Sequence, residues 1–220
     1  MQKEFYSIAI DGPASSGKST IAKRVSKILN IEYIDTGAMY RALTWKVLEN
    51  NIDPKNKNHV IEILKDTSID FKEGNIVLDG KVINEEIRLN YVSQNVSYIA
   101  VIPEVRERLV ELQKKMARSK SIVMDGRDIG TVVLIKAKYK FFLTATIEER
   151  AIRRFKELEQ NGDKTTSLQE IQDDIRKRDK IDSNRETSPL KQAEDAILID
   201  TTDKSIDEVI DVIISSVNGR

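Results

Sequence analysis

The sequence predicts an α/β fold, a five-stranded parallel sheet with helices on both faces, interrupted by a small antiparallel insert. Three observations carry this expectation. Short apolar, β-rich runs recur at "FYSIAI" (5–10), "IEYID" (31–35), "SIVM" (121–124), "YKFFLT" (139–144) and "AILI" (196–199). Between them lie stretches of helical periodicity at about 18–29, 103–118, 147–160 and 205–217; strands alternating with helices are what a parallel sheet covered on both sides requires. The third observation is an exception to that rhythm. In "SIDFKEGNIVLDGKVI" (68–83) apolar and polar residues alternate around turns at "EGN" and "DGK", the pattern of an antiparallel meander inserted into the larger unit.

Composition is consistent with one domain. At 220 residues, 40% apolar and 33% charged, the chain is long enough for a substantial core, and no repeat, low-complexity tract or Pro/Gly-rich linker divides it. Its 36 basic residues balance 36 acidic ones, so no global field gathers nucleic acid or anionic membrane; neither is an expected partner, and any anion site must be local. The absence of cysteine excludes disulfides, thiolate metal sites and cysteine nucleophiles. With no signal peptide and no apolar run of membrane length, the expectation is a cytoplasmic monomer. The only histidine, His59, lies in "PKNKNH" as an exposed loop or helix-start residue, so the chemistry has to proceed without an imidazole. Trp45 falls on a helix-periodic run and is expected to pack into the core.

After the first strand comes "GPASSGKST", which fits G-x-x-x-x-G-K-[ST] at Gly12, Gly17, Lys18 and Ser19 in the strand-to-helix context the motif needs. The expected ATP-binding segment is Gly12, Pro13, Ala14, Ser15, Ser16, Gly17, Lys18, Ser19 and Thr20. Its glycines let the backbone wrap a phosphate, its amides and the helix N-terminus supply positive charge, Lys18 bridges the outer phosphates, and the Ser19 hydroxyl is placed to ligate Mg2+. Three classes of protein use such a loop. A GTPase switch would carry N-K-x-D, but the nearest string, "NKNH" at 56–59, ends in histidine outside any strand context. A regulatory nucleotide-binding module needs no second site. A small-molecule kinase needs one rich in arginine, because two phosphate-bearing substrates must be held against their mutual repulsion.

Open α/β sheets bind ligands at the carboxyl ends of their strands. There the sequence places "DTGAMYR" (35–41) and "DGRDIG" (125–130), each an acid, a glycine turn and an arginine. Either alone is equally compatible with an Asx-type turn beside a surface arginine; together with the phosphate loop they favour a second site. Further on, "RKRDKIDSNR" (176–185) carries seven charged side chains in ten, which on composition alone suits a solvated helix face.

These motifs, with "LDGKVINEEIR", "VSQNVSYIA", "PEVRERL", "DGRDIGTVV" and "AEDAILIDTT", resemble the bacterial cytidylate kinase family in order and spacing over essentially the whole chain. Members of that family are P-loop enzymes of the P-loop NTPase fold that phosphorylate CMP and dCMP with ATP and Mg2+. The resemblance implies one domain over 1–220, with a core at about 1–62, 93–151 and 187–220, a monophosphate-binding insert at about 63–92 and a helical, mobile lid at about 152–186. It implies that Thr36, Arg106 and Asp128 face the cytosine, that Ser97, Arg178 and Asp182 hold the sugar, and that Arg41, Arg127 and Arg185 contact the acceptor phosphate. Lys18, Arg127 and Arg185 are the expected catalytic residues. The R-x-x-x-D-x-x-R spacing would put Arg178, Asp182 and Arg185 on one helical face, leaving Arg176, Lys177, Asp179 and Lys180 to solvent. Arg150, Arg153 and Arg154 in "EERAIRRFKEL" either reach ATP or lace a surface helix with ion pairs. In "LQKKMAR" lysine stands where the family commonly has arginine, and no role is carried over there. The alternatives are a P-loop kinase with UMP or AMP as acceptor, or a non-catalytic regulatory binder.

Overall fold

The computed structural model describes residues 5–118, 120–160, 162 and 165–219. In chain order the first half comprises β1 (Ser7–Asp11), α1 (Lys18–Leu29), β2 (Glu32–Asp35), α2 (Thr36–Glu49), α3 (Lys57–Lys65), β3 (Ile69–Lys72), β4 (Asn75–Leu78), β5 (Lys81–Val82) and α4 (Asn90–Ala100). The second comprises α5 (Pro103–Met116), β6 (Ile122–Gly126), β7 (Tyr139–Thr144), α6 (Ile147–Gln160), α7 (Leu168–Asn184), β8 (Ile197–Asp200) and α8 (Ile206–Asn218). The main sheet runs β2-β6-β1-β7-β8 and is parallel throughout. Each of the five expected strands is present. β1 begins later than the apolar run suggested because Phe5 is exposed, and it reaches Asp11 because that residue pairs with Gly126 of β6.

Side-chain alternation distributes the sheet between two cores. Ile8, Ile10, Val123 and Phe141 pack beneath α1 and α8, whereas Ala9, Ile34, Ile122 and Met124 pack on the opposite face against Ile129 and Val133. A third core joins α2, α4 and α5 to the insert through Leu43, Ile99, Leu109, Ile76 and Leu78, with Trp45 half-buried against it. The insert is the expected meander, β3-β4-β5 antiparallel. Its reversals use consecutive positive φ angles at Glu73 (52°) and Gly74 (78°) and at Asp79 (50°) and Gly80 (84°), the backbone twist that two-residue hairpins favour. His59 is exposed in the first turn of α3, where its N–H donates to Asn56 Oδ1 at 3.3 Å.

Between β7 and β8, α6 and α7 pack on each other through a small cluster of their own, Ala151, Leu158, Ile171 and Ile175. This is the segment expected as a lid; its residues 161, 163 and 164 lie outside the described residues. Ser167 and Glu170 form a reciprocal capping box that starts α7. Among the described residues no helix is long and apolar enough to cross a membrane.

The sheet core makes a stability prediction. Phe141 is 1% exposed between β1 and β8, whereas Leu198 on the edge strand β8 is 55% exposed. Phe141→Ala should lower the free energy of unfolding by about 3–5 kcal/mol and Leu198→Ala by about 0.5 kcal/mol or less, as read from urea denaturation midpoints.

Candidate active site

The loop between β1 and α1 is pressed against the neighbouring strand. A Cβ on Gly12 would stand 2.1 Å from the backbone oxygen of Leu143 on β7, so only glycine fits. Positive φ at Ser15 (58°) and Gly17 (85°) then curls the chain into the helix. Lys18 opens α1, and its buried Nζ donates back across the loop to the Pro13 carbonyl at 2.7 Å. Burial, and next the Arg127 guanidinium, push Lys18 down to about 7. The Ser16 hydroxyl is buried with no hydrogen-bond partner among the described residues. An anion in the loop would answer both conditions.

β6 lies beside β1, and its end brings Asp125 to the loop. Ser19 Oγ donates to Asp125 Oδ2 at 2.7 Å and Tyr33 OH donates to Oδ1 at 2.9 Å. Burial, and then neighbouring Asp35, raise Asp125 to about 6. A hydroxyl and a carboxylate in this relation suit Mg2+, which takes oxygen donors and completes its shell with substrate phosphates and water. Among the described residues no cluster of three or more His, Cys, Asp or Glu forms a cage for a metal ion on its own, so the donor set fits a cation shared with a phosphate ligand. The sequence showed Asp125 as an acid at a strand end; its pairing with Ser19 and Tyr33, across separate elements, left no local signal.

The same strand end builds the second half of the site. The Asp11 carboxylate accepts from the backbone N–H of Ile129 at 2.8 Å and of Gly130 at 2.7 Å, fastening the turn after β6 to the end of β1. That turn carries Arg127 and Asp128. Buried Asp128 pairs with Arg106 and, at 3.6 Å, with Arg185. Arg106 also donates to the Ala100 carbonyl at 3.3 Å and lies 5.6 Å from the Tyr40 ring centre. Asp182 pairs with Arg127 at 2.8 Å and Arg185 at 3.9 Å. Arg41 pairs with Asp35 at 2.8 Å, Thr36 Oγ1 donates to the Asp125 carbonyl at 2.7 Å, and Ser97 is buried. Every residue expected at the acceptor site, from Thr36 to Arg185, lines one cavity with Lys18, Ser19 and Thr20. Its volume of about 1320 Å³ exceeds the roughly 300–1,000 Å³ usual for one small ligand.

The cations outnumber their partners. Arg178 Nε and Arg185 Nη2 are buried without a hydrogen-bond partner among the described residues. Burial, then Arg127, pushes Arg178 below the usual arginine range, and burial, then Arg106, does the same to Arg185. Asp182 feels the upward push of burial, yet Arg127, Arg185 and Arg178 hold it below the ordinary carboxylate range.

Two expectations are corrected. Helix α7 ends at Asn184 and Arg185 adopts extended backbone angles (φ −65°, ψ 140°), so only Arg178 and Asp182 share a helical face. The chain turns back there before Pro189: the Leu190 N–H donates to the Asp182 carbonyl at 2.8 Å and Arg185 Nε to the Ser188 carbonyl at 2.5 Å. Second, Asp179 is not given to solvent but pairs with buried Arg150 at 2.7 Å. Arg176, Lys177 and Lys180 are exposed, as expected, with the Lys177 ammonium 5.3 Å from the centre of the Tyr98 ring. Of the lid arginines, Arg153 donates to Thr201 Oγ1 at 2.9 Å, and Arg154, paired with Glu157 at 2.9 Å, borders the cavity with one nitrogen unpartnered among the described residues.

A phosphate loop and a cation-rich second compartment sharing one edge of a parallel sheet define a P-loop kinase. The gluconokinase from Sinorhizobium meliloti 1021 shares the fold, with a TM-score of 0.52 at 10% identity over 99% of this chain and 94% of that one. The chain belongs to the cytidylate kinase family, whose sequence model matches residues 8–219. It is 57% identical to the cytidylate kinase of Clostridioides difficile (strain 630), over 96% of this chain and 97% of that protein. It is 54% identical to that of Alkaliphilus oremlandii (strain OhILAs), over 98% and 99% respectively.

The state of Lys18 makes a pH-dependent prediction. Burial holds Lys18 down to about 7, so its ammonium is largely lost by pH 8, and a bound polyphosphate that favours the charged form draws a proton from solution. Calorimetry of Mg·ATP binding at pH 8 in buffers of different ionisation enthalpy should show uptake approaching about one proton. Lys18→Arg, charged throughout this range, should show none.

Proposed function

We propose that the protein transfers the γ-phosphate of ATP to CMP or dCMP, giving CDP or dCDP. The observation that carries this reading is the single cavity shared by Lys18 of the phosphate loop and by Asp128 with its two arginines. Asp128 and Arg106 read the base: cytosine turns an amino donor toward the carboxylate and ring acceptors toward the arginine, with Thr36, whose hydroxyl proton goes to the Asp125 carbonyl, lining the same cavity, whereas uracil would turn a carbonyl oxygen toward Asp128. Ser97, Arg178 and Asp182 hold the sugar. Arg41, Arg127 and Arg185 hold the acceptor phosphate.

No general base is required, because a phosphate monoester has a second pKa of about 6 and presents an ionised oxygen at neutral pH. Mg2+, held by Ser19 and Asp125 with the nucleotide phosphates, would neutralise charge on the transferring group. Lys18 and the arginines supply the remaining neutralisation and the in-line alignment. Water is kept out by α6 and α7, the latter carrying Arg178 and Asp182 to the cavity. The expected location is the cytoplasm and the expected state a monomer.

A coupled assay with ATP, Mg2+ and each monophosphate in turn tests the reading, with CMP and dCMP expected to exceed UMP and AMP. Asp128→Asn replaces an acceptor oxygen by a donor. It should lower kcat/KM for CMP about tenfold or more and shrink the preference over UMP; an unchanged CMP/UMP ratio would remove Asp128 as the cytosine reader.

A further inference from the structure

Three successive residues of α7 make contacts in three directions. Lys177 lies over the ring of Tyr98 on α4, with Lys55 also 4.9 Å from that ring centre. Arg178 enters the cavity with a buried, unpartnered Nε. Asp179 accepts from Arg150 Nη2 at 2.7 Å.

Arg150 is the hub of that last contact. It is 4% exposed, does not line the cavity, and spends its other donors on backbone: Nε on the Ala145 carbonyl at 3.0 Å, after β7, and Nη1 on the Ala14 carbonyl at 3.2 Å, inside the phosphate loop. One planar guanidinium therefore joins the phosphate loop, the start of α6 and the middle of α7. A lysine offers no fixed fork of donors for three acceptors at separate angles. A mere surface ion pair would leave both groups in water; here Arg150 is buried and Asp179 mostly so.

We infer that Arg150 and Asp179 are positioning residues for phosphoryl transfer: their pair anchors α7 to the phosphate loop and so delivers the adjoining Arg178 into the cavity. The α6–α7 unit has a core of only a few side chains, so its placement over the sheet depends on such anchors. Lys177 on Tyr98 steadies the same turn from the acceptor side, next to Ser97 in sequence. The kinetic consequence rests on the proposed transfer to CMP; the placement of α7 does not.

The test is a mutant cycle with a distance measurement. Asp179→Ala should lower kcat/KM for CMP about tenfold or more, the scale of a charged hydrogen bond lost in a largely buried setting. In an Arg178→Ala background the same substitution should cause little further loss, because a residue that acts through Arg178 has nothing left to deliver. Asp179→Glu should restore part of the activity. The chain has no cysteine, so Lys180→Cys and Ser215→Cys on exposed helix positions accept spin labels cleanly. With ADP and CDP bound, their distance distribution should lengthen or broaden in Asp179→Ala. Unchanged kcat/KM, losses that multiply in the double variant, or an unchanged distance distribution would each overturn the inference. If Asp179→Ala does not fold, Asp179→Asn, which keeps shape and one acceptor, takes its place with the same criteria at smaller amplitude. Should the unsubstituted protein transfer phosphate to no monophosphate, the function fails while the distances still decide the anchoring.

Discussion

The site is organised around buried like charges. Lys18, Arg127, Arg178 and Arg185 meet at one cavity, and burial together with mutual repulsion lowers the proton affinity of Lys18, Arg178 and Arg185. Desolvated cations at such distances are tolerable only where carboxylates hold them in part and an anionic ligand completes the balance. Asp128 and Asp182 are those carboxylates, each shared between two arginines, while Asp125, bonded to the Ser19 and Tyr33 hydroxyls, acts on Lys18 through its charge. The cavity is thus prepared for phosphate-bearing ligands before any arrives, which is what electrostatic preorganisation requires.

Sheet topology brings these groups together. The chain builds β2 and β6 on one side of β1 and β7 and β8 on the other, so the loop after β1 sits where the winding reverses, the usual ligand position in open α/β sheets. Because β1 and β6 are neighbours, donor loop and acceptor turn are adjacent by construction, and the Asp11 carboxylate locks them together through two backbone amides. The insert and α4 close the acceptor end. The α6–α7 unit brings Arg178 and Asp182 from a part of the chain that the sheet alone could not place, with Arg150 joining it to the loop that would hold the other substrate.

Much of this was legible in the sequence. The five strands, the meander with its "EGN" and "DGK" turns, and the phosphate loop are local patterns whose period or spacing reflects local geometry, and each is where it was expected. Every residue that the family resemblance assigned to the acceptor lines the cavity. What escaped the sequence is pairwise and distant. Arg150 and Asp179 are 29 positions apart, and Ser19 and Asp125 are 106 apart; residue type and spacing cannot show which charge meets which. Arg185 was misplaced on a helix because helical spacing continues through "DSNR", whereas tertiary bonds from the following turn end α7 one residue earlier.

The site holds no imidazole or thiol and its carboxylates are engaged by arginine and hydroxyl donors, so the central claim is direct transfer between the two substrates. That claim is tested most directly by the stereochemistry at phosphorus. ATP made chiral at the γ-phosphorus with sulfur and oxygen isotopes should give CDP with inverted configuration, as a single in-line displacement between the two halves of the cavity demands. Retention would mean that a protein side chain had accepted the group first, and the account would be wrong.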